Sequence, residues 1–152
     1  MASLGDLFPK NLKDQIITGN LKVGSVFRIF DNTTTPPKIK RFIVVGVSQD
    51  KVMFATVFIN TDINPYMFPT PELKALHLPL DVNGRSYLDH SSYVDCSQIF
   101  EKKVEEVKAV YENDMKSHLG YLATEDLKAV KEIIKNTRTI SVKKKKEYGL
   151  FL

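Results

Sequence analysis

Two apolar runs, residues 38–48 and 52–61, stand only three residues apart, and this pair constrains the fold more than any other feature. Both are rich in Val, Ile and Phe, the side chains that suit a pleated and largely buried surface. The link between them is Gln49-Asp50-Lys51, short and polar. Such a spacing reads as two strands joined in a hairpin. Antiparallel pairing then sets the start of the first strand beside the end of the second. Arg41 and Thr61 are thereby expected at one end of a sheet. A cation next to a hydroxyl, beside a loop with Pro65, Pro69 and Pro71, is a place to hold a phosphodiester.

The flanking segments extend a β-rich pattern. Residues 23–30 read as the first strand, with Val26, Arg28 and Phe30 alternating against Phe27 and Ile29. Residues 31–37, with Thr33, Thr34, Thr35 and two prolines, read as an exposed loop. Residues 73–80 and 92–99 read as two further strands around the turn signal Asn83-Gly84. Residues 104–111 fit a helix by the spacing of Val104, Val107 and Val110, and fit a last strand by Val107 to Tyr111. Thr124 reads as the cap of a helix carrying Leu127, Val130, Ile133 and Ile134 on one face and ending at Asn136. Residues 1–20 read as an amphipathic helical lead-in. The sum is an α+β, mainly β, small barrel or strongly bent sheet with helical attachments.

The chain of 152 residues suits one domain over 1–152, and 43% apolar residues can fill a core. A net charge of +4 is compatible with a nucleic-acid partner without defining one. Residues 141–152 read as a basic tail, with the run Lys143 to Lys146 a solvated charge cluster that adds attraction to phosphates. No stretch is apolar for long enough to span a membrane, and the N-terminus lacks a secretory pattern. A lone Cys96 allows no internal disulfide, and no Cys/His grouping suggests zinc. A cytoplasmic protein without metal or cofactor is the expectation.

The order of these features resembles the MazF/PemK family of toxin ribonucleases over about residues 22–136. Val23-Gly24-Ser25-Val26 resembles the family's first strand start, and Lys40-Arg41 before Phe42 to Val45 resembles its basic pair and strand. Thr56 to Thr61 resembles the strand that ends in a threonine. Ser92 to Ile99 and Leu119 to Leu127 resemble its later strand and closing helix start. The chain differs in carrying Phe42 after Arg41, where the family has proline, and Ser25 after Gly24, where the family has aspartate. Its segments 62–90 and 100–118 are also longer.

The resemblance implies an SH3-like barrel, often a homodimer, that cleaves single-stranded RNA without metal as the toxin of a type II toxin-antitoxin system. It implies Arg41 and Thr61 as the catalytic pair and a small acidic antitoxin as a partner. The expected RNA contacts are Thr35, Lys38, Lys40, His90 and Gln98. Each has a plainer reading beside the functional one. Arg41, Lys38 and Lys40 are also ordinary charges at a strand start, and Thr61 a turn residue bonding its own backbone. Thr35 suits an exposed loop, and Gln98 a sheet edge. His77 and His90 have the side-chain chemistry of an acid or base near neutral pH. His118 reads as a helix-end residue, Cys96 as a small buried apolar group. Tyr66 and Phe68 suit base stacking. The alternative to an enzyme is a binding module for nucleic acid or protein on the same barrel.

Overall fold

The structure is a computed structural model and describes residues 19–31 and 35–151. The expected lead-in helix, apart from its last two residues, and Thr33 and Thr34 lie outside the described residues. Seven strands, β1 Ser25–Asp31, β2 Lys38–Val47, β3 Met53–Asn60, β4 His77–Leu80, β5 Ser92–Asp95, β6 Phe100–Lys103 and β7 His118–Tyr121, build one sheet. The helices are α1 Pro71–Lys74, α2 Val104–Asn113, α3 Thr124–Asn136 and α4 Val142–Glu147, with a 3-10 turn at Met115–Ser117.

The sheet runs β4-β5-β3-β2-β1-β7, every pair antiparallel, and β6 joins it against β3. It curls into a half-barrel. The hairpin of β2 and β3 is its centre, as the spacing of the two apolar runs requires. In the link, the Asp50 carboxylate accepts from Ser48 Oγ at 2.6 Å and from Val52 N at 3.1 Å. These bonds hold Asp50 below the usual carboxylate range.

Two features of pairing bend the sheet. On β2, Val44 pairs with Thr56 while Gly46 pairs with Ala55, which leaves Val45 as an inserted residue. On the far side of β3, Ile59 pairs with Val94 and Thr56 with Phe100. Residues 95–99 therefore face only Val57 and Phe58, and the edge strand breaks into β5 and β6. The expected strand over 92–99 is thus real only as far as Asp95. The short β6 and β7 and the one-turn α1 carry too few residues to show a period.

Both faces of the central strands are covered, which explains their unbroken apolar runs. One core holds Val26, Ile43, Val45, Val57, Ile59 and Val94 under Val130 and Ile134 of α3. The other holds Phe27, Phe42, Val44, Phe54 and Phe58 under Val107 and Tyr111 of α2. Covering this phenylalanine face decides the ambiguous segment 104–111 in favour of a helix. Phe30 stays outside both cores, 64% exposed beside its cross-strand partner Ile39. Helix α3 starts at Thr124 itself, with Ala123 as an N-cap that gives no side-chain bond. Its acid Asp126 is used otherwise, as a bidentate acceptor for Arg85 at 2.9 and 3.0 Å.

The basic tail is not simply solvated. Lys145 is buried, and its ammonium donates to the carbonyls of Lys135 and Thr137 at 3.0 and 2.6 Å, closing the C-terminus of α3. Lys144 pairs with Glu101 at 3.0 Å, and Tyr148 donates to the same carboxylate at 2.8 Å. The backbone at Tyr148 comes so close to β2 that a Cβ on Gly46 would lie 2.9 Å from its carbonyl oxygen. Only the exposed Lys143 and Lys146 keep the expected solvated character. Replacing Lys145 by Met should lower unfolding free energy by about 2–3 kcal/mol, since two charged hydrogen bonds at a helix end are lost. Urea titration checks this, with Lys143→Met expected to change stability by less than about 0.5 kcal/mol.

Candidate functional site

The open end of the curled sheet forms a cleft of about 540 Å³. Arg41, Thr61, Lys38, Lys40, His90 and Gln98 all line it, from four separate stretches of chain. Thr35 is exposed and is not among the lining residues. The hairpin register accounts for the first two. Arg41 stands opposite Ile59, and Thr61 follows two residues later, just past the end of β3.

Arg41 is held from the loop between β4 and β5. Its Nε donates to the Tyr87 carbonyl at 3.1 Å, and its Nη2 to Asp89 Oδ2 at 2.7 Å. The arginine side chain is 24% exposed and the Asp89 side chain 76%, so this ion pair sits at the water boundary. The loop itself is fixed by the Arg85–Asp126 pair and by the burial of Tyr87 and Leu88. Lys40 reaches across the hairpin, donating to Asn60 Oδ1 at 2.7 Å, with its ammonium 5.1 Å from the centre of the Phe58 ring. Lys102 approaches the same ring at 5.6 Å. Phe58 and Phe100, with centroids 4.4 Å apart, form an aromatic wall of the cleft with cations beside it.

Both histidines read as acid or base candidates, His77 and His90, reach the cleft. His90 is exposed, with Nδ1 3.2 Å from Ser92 Oγ and 3.3 Å from the Ser91 carbonyl. His77 lies buried at the floor, packed edge-on against Phe68 at 4.2 Å. A carbonyl can only accept, so its Nδ1, 3.2 Å from the Leu73 oxygen, carries the proton. Its Nε2 faces Asp95 at 3.6 Å without a hydrogen bond. Asp95 in turn accepts from Ser97 N and Ser97 Oγ at 2.9 and 2.5 Å. Of the two residues expected to stack on bases, Phe68 lines the cleft and Tyr66, almost wholly exposed, does not.

The arrangement offers cations, a hydroxyl, an exposed imidazole and amide side chains within one concavity. That set can bind a phosphodiester, orient it and move a proton. Asp89 and Asp95 also line the cleft, and Arg28 lies outside its lining, on the strand beside Arg41; none of the three was legible beforehand. The two aspartates lie where periodicity is absent or ends, and Arg28 gains meaning only from the register that sets it opposite Arg41.

Two other reactive residues lie apart from the cleft. Cys96 is fully buried, and burial pushes its thiol up to about 12, which leaves it inert as a nucleophile. His118 ends the 3-10 turn as its C-cap, its backbone N–H donating to the Met115 carbonyl, and also opens β7. It lies among Phe27, Tyr111 and Tyr121 at 5.1, 5.8 and 4.8 Å between ring centres. Among the described residues, no group of three or more His, Cys, Asp or Glu is placed to hold a metal ion, and no helix is long and apolar enough to cross a membrane. No protein-family model matches the chain, and no curated protein is significantly similar to it.

Burial, and secondarily the charge of Lys22, hold His118 below its ordinary value. The native state therefore binds fewer protons than the unfolded chain near pH 6. This contribution to stability is complete above the ordinary histidine range, about pH 6.5, and is lost as pH falls through the depressed native value. Thermal midpoints measured from about pH 7.5 to pH 5 should fall more steeply for the wild type than for His118→Phe, which keeps a ring without a titrating group. Equal slopes would contradict this account.

Proposed function

We propose that the protein is a metal-independent endoribonuclease of the MazF/PemK type, acting on single-stranded RNA as the toxin of a toxin-antitoxin pair. The observation that carries this reading is the convergence of Arg41, Thr61 and His90 on one cleft, with Lys38, Lys40 and Gln98 around them. The curled sheet with its helical attachments is compatible with the SH3-like barrel that the reading entails. A homodimer, and an acidic antitoxin segment competing with RNA for the same cations, belong to the same proposal.

The reaction is attack of a ribose 2′-oxygen on the adjacent phosphorus with departure of the 5′-oxygen. The P–O5′ bond breaks and the products carry a 2′,3′-cyclic phosphate and a 5′-hydroxyl. Arg41 answers the charge on the non-bridging oxygens, which its planar fork of donors suits. His90 takes the proton from the 2′-hydroxyl and delivers it to the departing 5′-oxygen, transfers that neither Arg41 nor Thr61 performs near neutral pH. Thr61 orients the phosphate through its hydroxyl. Lys38 and Lys40 hold the neighbouring backbone, and Gln98 offers an amide to a base edge.

One observation favours a second reading, a binding module without cleavage: one terminal nitrogen of Arg41, Nη2, already has a carboxylate partner. Incubation with unstructured RNA in EDTA separates the two. Cleavage to cyclic-phosphate ends is expected, with Arg41→Ala and His90→Gln each lowering the rate about 10²-fold or more and leaving the thermal midpoint unchanged. Identical trace products from wild type and Arg41→Ala would end the enzymatic reading. Salt-sensitive RNA binding with no cleavage would select the binding module.

A further inference from the structure

A single row of side chains crosses five strands on one face of the sheet. Leu78 stands opposite Val94, Val94 opposite Ile59, Ile59 opposite Arg41, and Arg41 opposite Arg28. Directly paired residues share a face. The row begins in the apolar core, where Val94 and Ile59 are buried, and ends in two guanidiniums. The adjoining rows of β1 and β2 are apolar: Val26 with Ile43 in the core on one side, Phe30 with Ile39 at the exposed rim on the other. Nothing in packing calls for two arginines here.

Like charges directly opposite each other destabilise a sheet. The local balance is two cations against one carboxylate. Asp89 answers Arg41, while Arg28 is exposed and makes no ion pair with a described residue. The Asp89 carboxylate is largely in water, and an ion pair of that kind contributes about 0–1 kcal/mol. It is readily exchanged for an anion that both arginines can hold. The bond from Arg41 Nε to the Tyr87 carbonyl involves neither terminal nitrogen, so the guanidinium stays anchored through such an exchange.

We infer that Arg28 and Arg41 form a two-armed clamp for a phosphate of a single-stranded nucleic-acid backbone, and that Asp89 holds the phosphate's place in the unliganded protein. The clamp deepens the phosphodiester reading above and rests on it. It makes Asp89 a competitor of the ligand and Arg28 a binding residue outside the proposed proton-transfer machinery.

Binding is measured apart from cleavage, by fluorescence anisotropy with a labelled 12-nucleotide RNA carrying 2′-O-methyl riboses, across a range of salt. Asp89→Asn should tighten binding severalfold. Arg28→Ala should weaken it several-fold and reduce the slope of log K against log salt by about 0.7, one phosphate contact on a single strand. Arg28→Lys should restore the slope but only part of the affinity, because charge returns without the fork. Weaker or unchanged binding by Asp89→Asn would make Asp89 an orienting partner and overturn the clamp. Arg28→Ala with unaltered affinity and slope would overturn it as well. Displacement of the RNA by micromolar inorganic phosphate, against chloride of equal ionic strength, would reassign the clamp to a free phosphate and overturn the nucleic-acid assignment. RNA binding without cleavage would remove the enzymatic reading and leave the clamp. No RNA binding by the wild type at low salt would remove both.

Discussion

The structure depends on β3 being paired along both edges and buried on both faces. One edge takes β2; the other is shared between β5 and β6. Alternate side chains of this strand go to different cores, Ala55, Val57 and Ile59 to one and Phe54 and Phe58 to the other. A one-residue slip would exchange the two sets and put phenylalanines where Val and Ala fit. Register is therefore strongly fixed here, and everything at the strand's end inherits that precision. Thr61 has its place because Ile59 is locked opposite Arg41. The site is a by-product of core packing a few residues away.

Shared occupancy of the second edge also makes the cleft. Three more residues stand on the β5–β6 side than on β3 over the same span, so the edge strand must turn away. Gln98 comes from that turn, Asp95 from the strand end before it and Phe100 from the strand start after it. Arg41 is met from above by the loop between β4 and β5. Its hold on α3 through Arg85 and Asp126 is bidentate and partly buried, the geometry in which an ion pair contributes most to position. Asp89 and His90 are carried on a loop whose root is fixed while their own side chains stay in water.

What the sequence showed follows from these constraints. The hairpin was legible because two-sided burial writes long apolar runs, and antiparallel geometry then forces Arg41 and Thr61 to one end. The face of α3, with Val130 and Ile134 buried, was legible by its period. Thr124 looked like a cap because its residue type suits one, yet the chain enters the helix a residue earlier and Asp126 turns to Arg85. The strands β6 and β7 have four residues each, too few for a period to stand out. Thr35 was grouped with the site by its place in a loop, and loop membership alone fixes no direction. Asp89 was invisible because an ion pair between residues 48 positions apart leaves no local trace.

Charge shows the same contrast between composition and placement. The lysine run near the C-terminus accounts for much of the visible basic character, and it drew attention as a phosphate-attracting tail. Folding divides it. Lys145 is spent on the carbonyls at the end of α3 and Lys144 on Glu101, so half of the run serves to dock the tail against the sheet. The glycine at position 46 belongs to the same contact, since a side chain there would collide with the Tyr148 backbone. The cations that face a concavity are fewer and lie elsewhere: Lys38, Lys40 and Arg41 on one strand. Lys40 is steadied by Asn60 and by the face of Phe58, Arg41 by Tyr87 and Asp89. Held side chains lose less freedom when a ligand arrives than the loose lysines of a solvated tail would. For an anion, two held cations with Lys38 beside them at the end of a rigid hairpin are therefore a better site than a longer run of unanchored charge.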